Sequence, residues 1–329
     1  MHVSELQTPA LVVDGAAFAR NVERMSAIRP GPALRPHVKA FKSTALAQRL
    51  ADAGHRGFCC ATVAEVLGMA RAGLGDDLLL ANETIDGRRL REMAQLDVAV
   101  TVAVDSDATV DAAAAAGITR VLVDVEVGLP RCGCSADDAG RLADRARAAG
   151  MEVRGVMGYE GHVNVLLDRD ERRAAVEKAM DRLLRAHELV GGDIVSGGGT
   201  MTAELNEWVT EIQAGTYVLM DTAFDAHVPF EIAIGVEATV ISASPRGWAV
   251  ADAGLKAFGM DHGDPTLPGA DVWIVSDEHV TFAGLDAAVG DRVRLLPAHL
   301  DPTVAKHDRM WVLDGDEVVD EWPVDLRGW

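Results

Sequence analysis

The sequence predicts an α/β fold, a (β/α)8 barrel of the TIM type, followed by a C-terminal antiparallel β domain. Three observations carry that expectation. Eight short apolar runs occupy the first two thirds of the chain, helix-like segments alternate with them, and after about residue 230 the pattern turns to strands and tight turns.

The runs are, in order, ALRPHVK (33–39), GFCCAT (57–62), DLLLAN (77–82), VAVTVAV (98–104), VLVDVEVG (121–128), VRGVMGYE (153–160), DIVSGGG (193–199) and EIQAGTYVLM (211–220). Their near-continuous apolar character suits parallel strands covered on the outside. The intervening segments, among them VAEVLGMARAG, SDATVDAAAAAG and RDERRAAVEKAMDRLLRAHELV, have helical character, and several end in the Gly that a helix C-cap favours. Beyond LMDTAFDA come FEIAIGVEATVISASPRGWAVADAG, DVWIVSDEHVTFAG, DRVRLLPAH and DRMWVLDGDEVVDEWPV, which alternate in the manner of strands. The expected division is a barrel over residues 10–228 and a β domain over residues 229–329, which residues 1–9 could join.

Composition narrows the function classes. A formal net charge of −20 argues against nucleic acid and anionic membranes as partners, because both would be repelled. No run approaches the length of a spanning helix, and MHVSELQTPA lacks the basic start and apolar centre of a leader, so a soluble cytoplasmic protein is expected. The four cysteines fall as Cys59-Cys60 and Cys132-Gly133-Cys134 at the ends of apolar runs, closer than zinc pairs are usually spaced, and read as reduced thiols.

Among 31 basic residues the lysines are Lys39, Lys42, Lys178, Lys256 and Lys306. Where positive charge alone is needed this chain uses Arg, so a Lys at the end of the first run draws attention to its amine. In an extended segment Arg35, His37 and Lys39 share a face, which puts Lys39 on the C-terminal rim, where barrels carry their sites. Ser196, Gly197, Gly198, Gly199 and Thr200 end the seventh run, and Gly215, Thr216 and Tyr217 fall within the eighth. Phosphate groups bind at those two loops, and glycines let an anion approach the backbone N–H groups, helped by any helix that starts there. A rim amine opposite a phosphate cup is the arrangement expected for pyridoxal 5'-phosphate, since a desolvated Lys loses its proton readily enough to form a Schiff base. Arg131 lies beyond the fifth run, and Tyr159 and His162 at the end of the sixth. In PAHLDPTVAKHD, His299 and Asp301 stand two apart, and an imidazole with a carboxylate suits a divalent metal such as Mn²⁺ or Zn²⁺.

With those residues in place the chain resembles the D-threonine aldolase and D-serine dehydratase family, fold type III pyridoxal phosphate enzymes related to alanine racemase. The resemblance runs nearly end to end, through TPALVVD, RPHVKAFKS, VDVEVGLPRCG, GYEGH, VSGGGT, VTEIQAGTYVLMD, DAGLKAF, SDEH and PAHLDPTVAKHD. It implies that Lys39 holds the cofactor as a Schiff base, that Arg131 faces the pyridine nitrogen and that Tyr159 lies against the ring. Ser196 to Thr200, with Gly215, Thr216 and Tyr217, would hold the phosphate, and His299 and Asp301 the metal: Mn²⁺, with Zn²⁺ or Mg²⁺ as alternatives. H-x-D looks like the aldolase branch and H-x-C like the dehydratases, so Asp301 implies retro-aldol cleavage of a D-threonine-like D-3-hydroxy amino acid to glycine and an aldehyde. A dehydratase-type deaminase acting on D-serine or 3-hydroxyaspartate is the alternative. An amino-acid racemase and a non-catalytic pyridoxal phosphate-binding protein come after it. Two positions depart from the family pattern: Asn164-Val165, where aldolases carry Gln-His, and Ala40-Phe41, where many relatives have Thr-His. Either His162 or a metal-bound water then serves as the base, or the same scaffold carries a different reaction. Family members are often homodimers, and the same is expected here.

Overall fold

A computed structural model describes the whole chain, Met1–Trp329. It divides into two compact units. One comprises Met25–Lys39, Ala47–Gly215 and Gly328–Trp329; the other comprises Met1–Arg24, Ala40–Leu46 and Thr216–Arg327. The strands are β1 (Ala10–Asp14), β2 (Gly57–Cys60), β3 (Asp77–Leu80), β4 (Ala99–Val104), β5 (Arg120–Asp124), β6 (Glu152–Gly158), β7 (Ile194–Gly197), β8 (Glu211–Ile212), β9 (Ile234–Ser244), β10 (Trp248–Ala251), β11 (Asp271–Val275), β12 (Val280–Ala283), β13 (Arg292–Leu295), β14 (Arg309–Asp314) and β15 (Glu317–Pro323). The α-helices are α1 (Gly15–Ile28), α2 (Thr44–Asp52), α3 (Val63–Arg71), α4 (Gly87–Ala94), α5 (Asp107–Ala116), α6 (Ala139–Ala148), α7 (Arg169–Val190) and α8 (Leu300–Lys306).

In the barrel unit β2 to β8 form one sheet in sequence order with every pair parallel. The first run closes the ring without becoming a regular strand. The Arg35 and His37 N–H groups donate to Ile212 O (2.8 Å) and Ala214 O (2.9 Å), and the Cys59 N–H donates to Pro36 O (2.9 Å). Pro36 has no N–H, so the ladder is interrupted there and survives as the bridges Leu34–Ile212 and His37–Cys59. The eighth run is a strand for Glu211–Ile212 alone; at Thr216 the chain enters a 3-10 turn, Thr216–Val218. Gly215, Thr216 and Tyr217 therefore lie past the strand and not within it.

Helix ends reflect the local chemistry. At α5, Ser106 and Thr109 form a capping box, and Gly117, at φ +86°, closes the helix. At α7 the Asp168 carboxylate accepts from the N–H groups of Asp170 and Glu171. Cys59, Leu79, Ala103, Leu122 and Met157 form one buried cluster, in which each leucine contributes about 1.5–3 kcal/mol by leaving water.

A polar chain also runs through the barrel unit. Arg35 donates from Nε to Glu211 Oε1 (2.8 Å) and from Nη2 to Asp77 Oδ2 (2.9 Å), and Arg154 donates to both Asp77 oxygens (2.8 Å) and to Thr101 (2.7 Å). Glu211 also accepts from Ser196 Oγ (2.7 Å), Ser196 from Gln213 Nε2 (2.8 Å), and Gln213 Oε1 from Cys59 Sγ (3.1 Å).

The second unit is built on an eight-stranded sheet in the order β11-β12-β10-β9-β1-β14-β15, with β13 pairing β9. It is antiparallel apart from the β1–β14 pair. Because β1 pairs with β9 and β14, residues 10–24 belong to this unit and not to the barrel, and the join expected at 228/229 falls at 215/216. No helix is long and apolar enough to cross a membrane.

Candidate functional site

Each unit carries one group of the candidate residues. In the barrel unit Lys39 comes after the first stave in a 3-10 turn, Val38–Ala40, and is half-buried. It acts electrostatically on the Cys59 thiol, whose burial raises its pKa and keeps it protonated. Cys132 and Cys134 are pushed up to about 11 and about 12, by burial first, and all four cysteines are free thiols.

Arg131 lies in the loop after β5, with Cζ 5.5 Å from the centroid of the Tyr159 ring. That ring occupies space left by Gly161, on which a Cβ would come within 2.3 Å of it, and it lies in ordinary contact range of Gly199. The Tyr159 hydroxyl accepts from Asn164 Nδ2 at 3.1 Å. His162 stands in the 3-10 turn Gly161–Val165, against Gly128, where a Cβ would meet its Nε2 at 2.6 Å. Its Nδ1 is buried without a hydrogen-bond partner. Val165, at one of the departures, is 77% exposed, whereas Phe41, at the other, is fully buried and packs in a core.

Behind Arg131 the Asp124 carboxyl is pushed well above the carboxylate range. Burial is the main cause and Glu83 the next, with Arg131 pulling the other way. Neither acid stands out in the sequence, since an Asp ending an apolar run is unremarkable until the fold sets Glu83 beside it.

The glycine segment is shaped from within. Ser196 is fully buried and its hydroxyl is committed to Glu211 and Gln213, so that side chain belongs to the barrel interior. The Gly198 N–H donates to Glu160 Oε2 (3.0 Å) and the Gly199 N–H to Thr202 Oγ1 (3.0 Å). Gly198 has φ +75°, and a Cβ on it would lie 2.6 Å from Ile212 Cδ1. The chain then enters a 3-10 turn, Thr200–Thr202, and not the α-helix whose dipole was expected to help. A cradle that only glycine fits, a half-buried rim amine and an unpartnered imidazole nitrogen suit pyridoxal phosphate.

The second unit holds Thr216, Tyr217 and the metal candidates. Tyr217 is fully buried with its ring 5.7 Å from Phe230, and burial raises its phenol pKa, so the side chain packs in a core. His299 and Asp301 do not lie on one extended segment. His299 is the residue before α8 and Asp301 is in its first turn, where Pro302 is tolerated because first-turn N–H groups have no intrahelical acceptor. His299 Nδ1 is 2.7 Å from Asp261 Oδ2, and its ring stacks on His262 at 3.8 Å between centroids. Ligand atoms of Asp261, His262 and His299 lie within 4.8 Å of one another. An oxygen and nitrogen donor set free of thiolate fits a borderline or hard divalent cation. In the sequence His262 reads as a loop residue and Asp261 as an ordinary acid; the stretch MDHGD carries the only local signal of the pair. His279 is exposed in the turn after β11.

The chain is similar to known proteins over nearly its whole length. Residues 13–223 match the family described as alanine racemase, N-terminal domain, and residues 233–313 the putative serine dehydratase domain. The chain is 35% identical to a D-threonine aldolase of Arthrobacter sp, covering 99% of this chain and 94% of the relative. It is 33% identical to a 3-hydroxy-D-aspartate aldolase of Paracoccus denitrificans (strain Pd 1222), over 100% of this chain and 94% of that one. Among solved structures, the D-threonine aldolase from Filomicrobium marinum superposes with a TM-score of 0.92 at 32% identity, covering 98% of this chain and 96% of that chain.

Proposed function

Because the chain belongs to the D-threonine aldolase and D-serine dehydratase-like family of fold type III pyridoxal phosphate enzymes, we propose that it is a metal-assisted lyase. It cleaves a D-3-hydroxy amino acid between Cα and Cβ. The observation that carries this reading is Asp301 in the His299-x-Asp301 segment, which is of the aldolase type, within a chain similar to two aldolases over nearly its whole length.

When bound, pyridoxal phosphate supplies the sink for the electron pair left at Cα, and a divalent cation acidifies the β-hydroxyl. Lys39 would provide the amine for the cofactor's aldehyde, and the Gly197–Thr200 segment with Gly215 and Thr216 would receive its phosphate. Arg131 carries N–H donors and no acceptor, so toward a ring nitrogen it can only donate, which would leave that atom without a proton of its own. Tyr159 presents its face to the ring, held by Arg131 and Asn164. His162 Nδ1, buried and unpartnered, is the base that takes the β-hydroxyl proton. His299 and Asp301 would hold Mn²⁺ or a similar cation, with His262 stacked on His299 and Asp261 bonded to its Nδ1 beside them. In the substrate the hydroxyl loses its proton, the Cα–Cβ bond breaks, the aldehyde leaves and protonation at Cα yields glycine. A homodimer belongs to the same reading.

The match of residues 233–313 to a serine dehydratase domain favours one second reading, deamination to a 2-oxo acid. Incubation with D-threonine, pyridoxal phosphate and Mn²⁺, with and without a chelator, separates the two. Acetaldehyde and glycine, lost on chelation, are expected. Formation of 2-oxobutanoate and ammonia would replace the aldolase reading with the dehydratase one.

A further inference from the structure

Glu160 is 1% exposed, and the donors to its carboxylate are neutral. The Gly198 N–H donates to Oε2 at 3.0 Å, and Thr202 Oγ1 (2.9 Å) and Asn206 Nδ2 (3.0 Å) donate to Oε1. A buried carboxylate without a cation is costly and persists where hydrogen bonds replace its water. All three donors belong to one stretch, residues 198–206, so a single side chain ties the start, middle and end of the loop after β7.

The rest of that loop depends on the same ties. Thr202 Oγ1, which donates to Glu160, also accepts from the Gly199 N–H, and the Thr202 N–H returns to Gly199 O (3.2 Å). The Asn206 N–H bonds Thr202 O (2.8 Å), while Arg29 holds the carbonyls of Ala203 and Asn206. Gly198 sits in the left-handed region with no room for a side chain, and the bond from its N–H to Glu160 holds it there. A carboxylate repels an anion, and its presence under a phosphate loop makes sense if it shapes the loop and does not itself contact the ligand.

We propose that Glu160 is the positioning residue of the phosphate loop, pre-forming residues 198–206 so that the phosphate end of the cofactor meets a loop already in its bound shape. This rests on the pyridoxal phosphate reading of Lys39 and the glycine segment. Preorganisation of this kind appears as affinity for the phosphate itself, because the ordering cost is met before the ligand arrives.

The test compares pyridoxal phosphate with pyridoxal, which offers the same aldehyde to Lys39 and lacks the phosphate. Both are titrated by visible absorbance into wild type, Glu160→Ala and Glu160→Gln, with thermal unfolding of each protein recorded. In wild type pyridoxal phosphate binds much more tightly. In Glu160→Ala that preference falls at least tenfold, with pyridoxal affinity unchanged, and Glu160→Gln, which keeps the size and part of the bonding, lies between. Equal weakening of both ligands, or an unchanged preference, overturns the proposal. If Glu160→Ala does not fold, Glu160→Gln decides: a preference equal to that of wild type overturns it and a reduced one supports it. Wild type that binds neither ligand would instead remove the cofactor reading on which the proposal stands.

Discussion

Asp261 Oδ2 lies 2.7 Å from His299 Nδ1, and His299 is the residue from which α8 starts. The contact fixes the imidazole by one nitrogen, and in the proposed metal site the other would be the donor. Asp261→Ala is expected to weaken Mn²⁺ binding about 10- to 100-fold, the usual effect of losing a partner that orients a ligating histidine. Isothermal titration of the metal-free protein measures it. Affinity within twofold of wild type would remove Asp261 from the site.

Lys39→Ala is expected to fold as wild type does and to show no visible absorbance with pyridoxal phosphate after dialysis. Borohydride reduction and then peptide mass analysis check the same point in wild type, where the modified lysine should be Lys39. Label on Lys42 instead would shift the site by three residues.

The His162 ring fills the space beside Gly128 that a Cβ would take. Gly128 is also at φ +133°, so Gly128→Ala should strain the loop after β5 as well as displace the imidazole, and lower kcat about 10²-fold, as misplacement of a reacting group by about an ångström does. Pyridoxal phosphate affinity should hold. A variant with wild-type kcat would mean that His162 is not the base.

Glu211 is the acceptor on which Arg35 and Ser196 converge. Glu211→Ala leaves the buried guanidinium without that partner and is expected to cost about 3–5 kcal/mol, read by urea unfolding. Asp77 gives this network a pH dependence. Burial alone would push its carboxyl up, but Arg35 and Arg154 outweigh burial and hold it below the usual range. A carboxyl depressed in the folded state adds stability above its unfolded pKa, and that stability is lost as the pH falls through the folded value. Asp77→Asn should therefore be the less stable protein at pH 7, with the gap closing below about pH 4. A constant gap from pH 7 to pH 3 would contradict the assignment.

The barrel was legible because its strands are dense apolar runs between amphipathic segments, a pattern set by burial on both faces. The first stave was legible in place but not in form, since Pro36 reduces a strand to two bridges. The strand Ala10–Asp14 looks like part of the barrel in sequence because periodicity reports that a strand is buried, not which sheet it joins; its partners lie more than 200 residues away. In the candidate site Lys39 stood out by residue type and position and His299 by its spacing from Asp301, whereas Tyr159 drew its role from the family resemblance. Glu160 and Asp261 did not, because each matters through a partner distant in sequence, and a lone acid carries no mark of what it will hold. Ser196 was legible as part of the glycine loop, but its side-chain direction was not.

The place of β1 bears on how the molecule is made. Its neighbours, β9 and β14, are synthesised long after it, and β14 ends at Asp314 of 329 residues. The seven strands of the barrel unit, in contrast, pair with their successors as they emerge. On the ribosome the chain would complete one unit while its own first strand still waits for an edge, and such long-range pairing is slow and exposes unpaired backbone meanwhile. A chain stopped short of residue 309 would lack the parallel partner of β1. Its N-terminal strand would be left open to pairing with another molecule, so truncation at the C-terminus should appear first as aggregation that begins at the N-terminus.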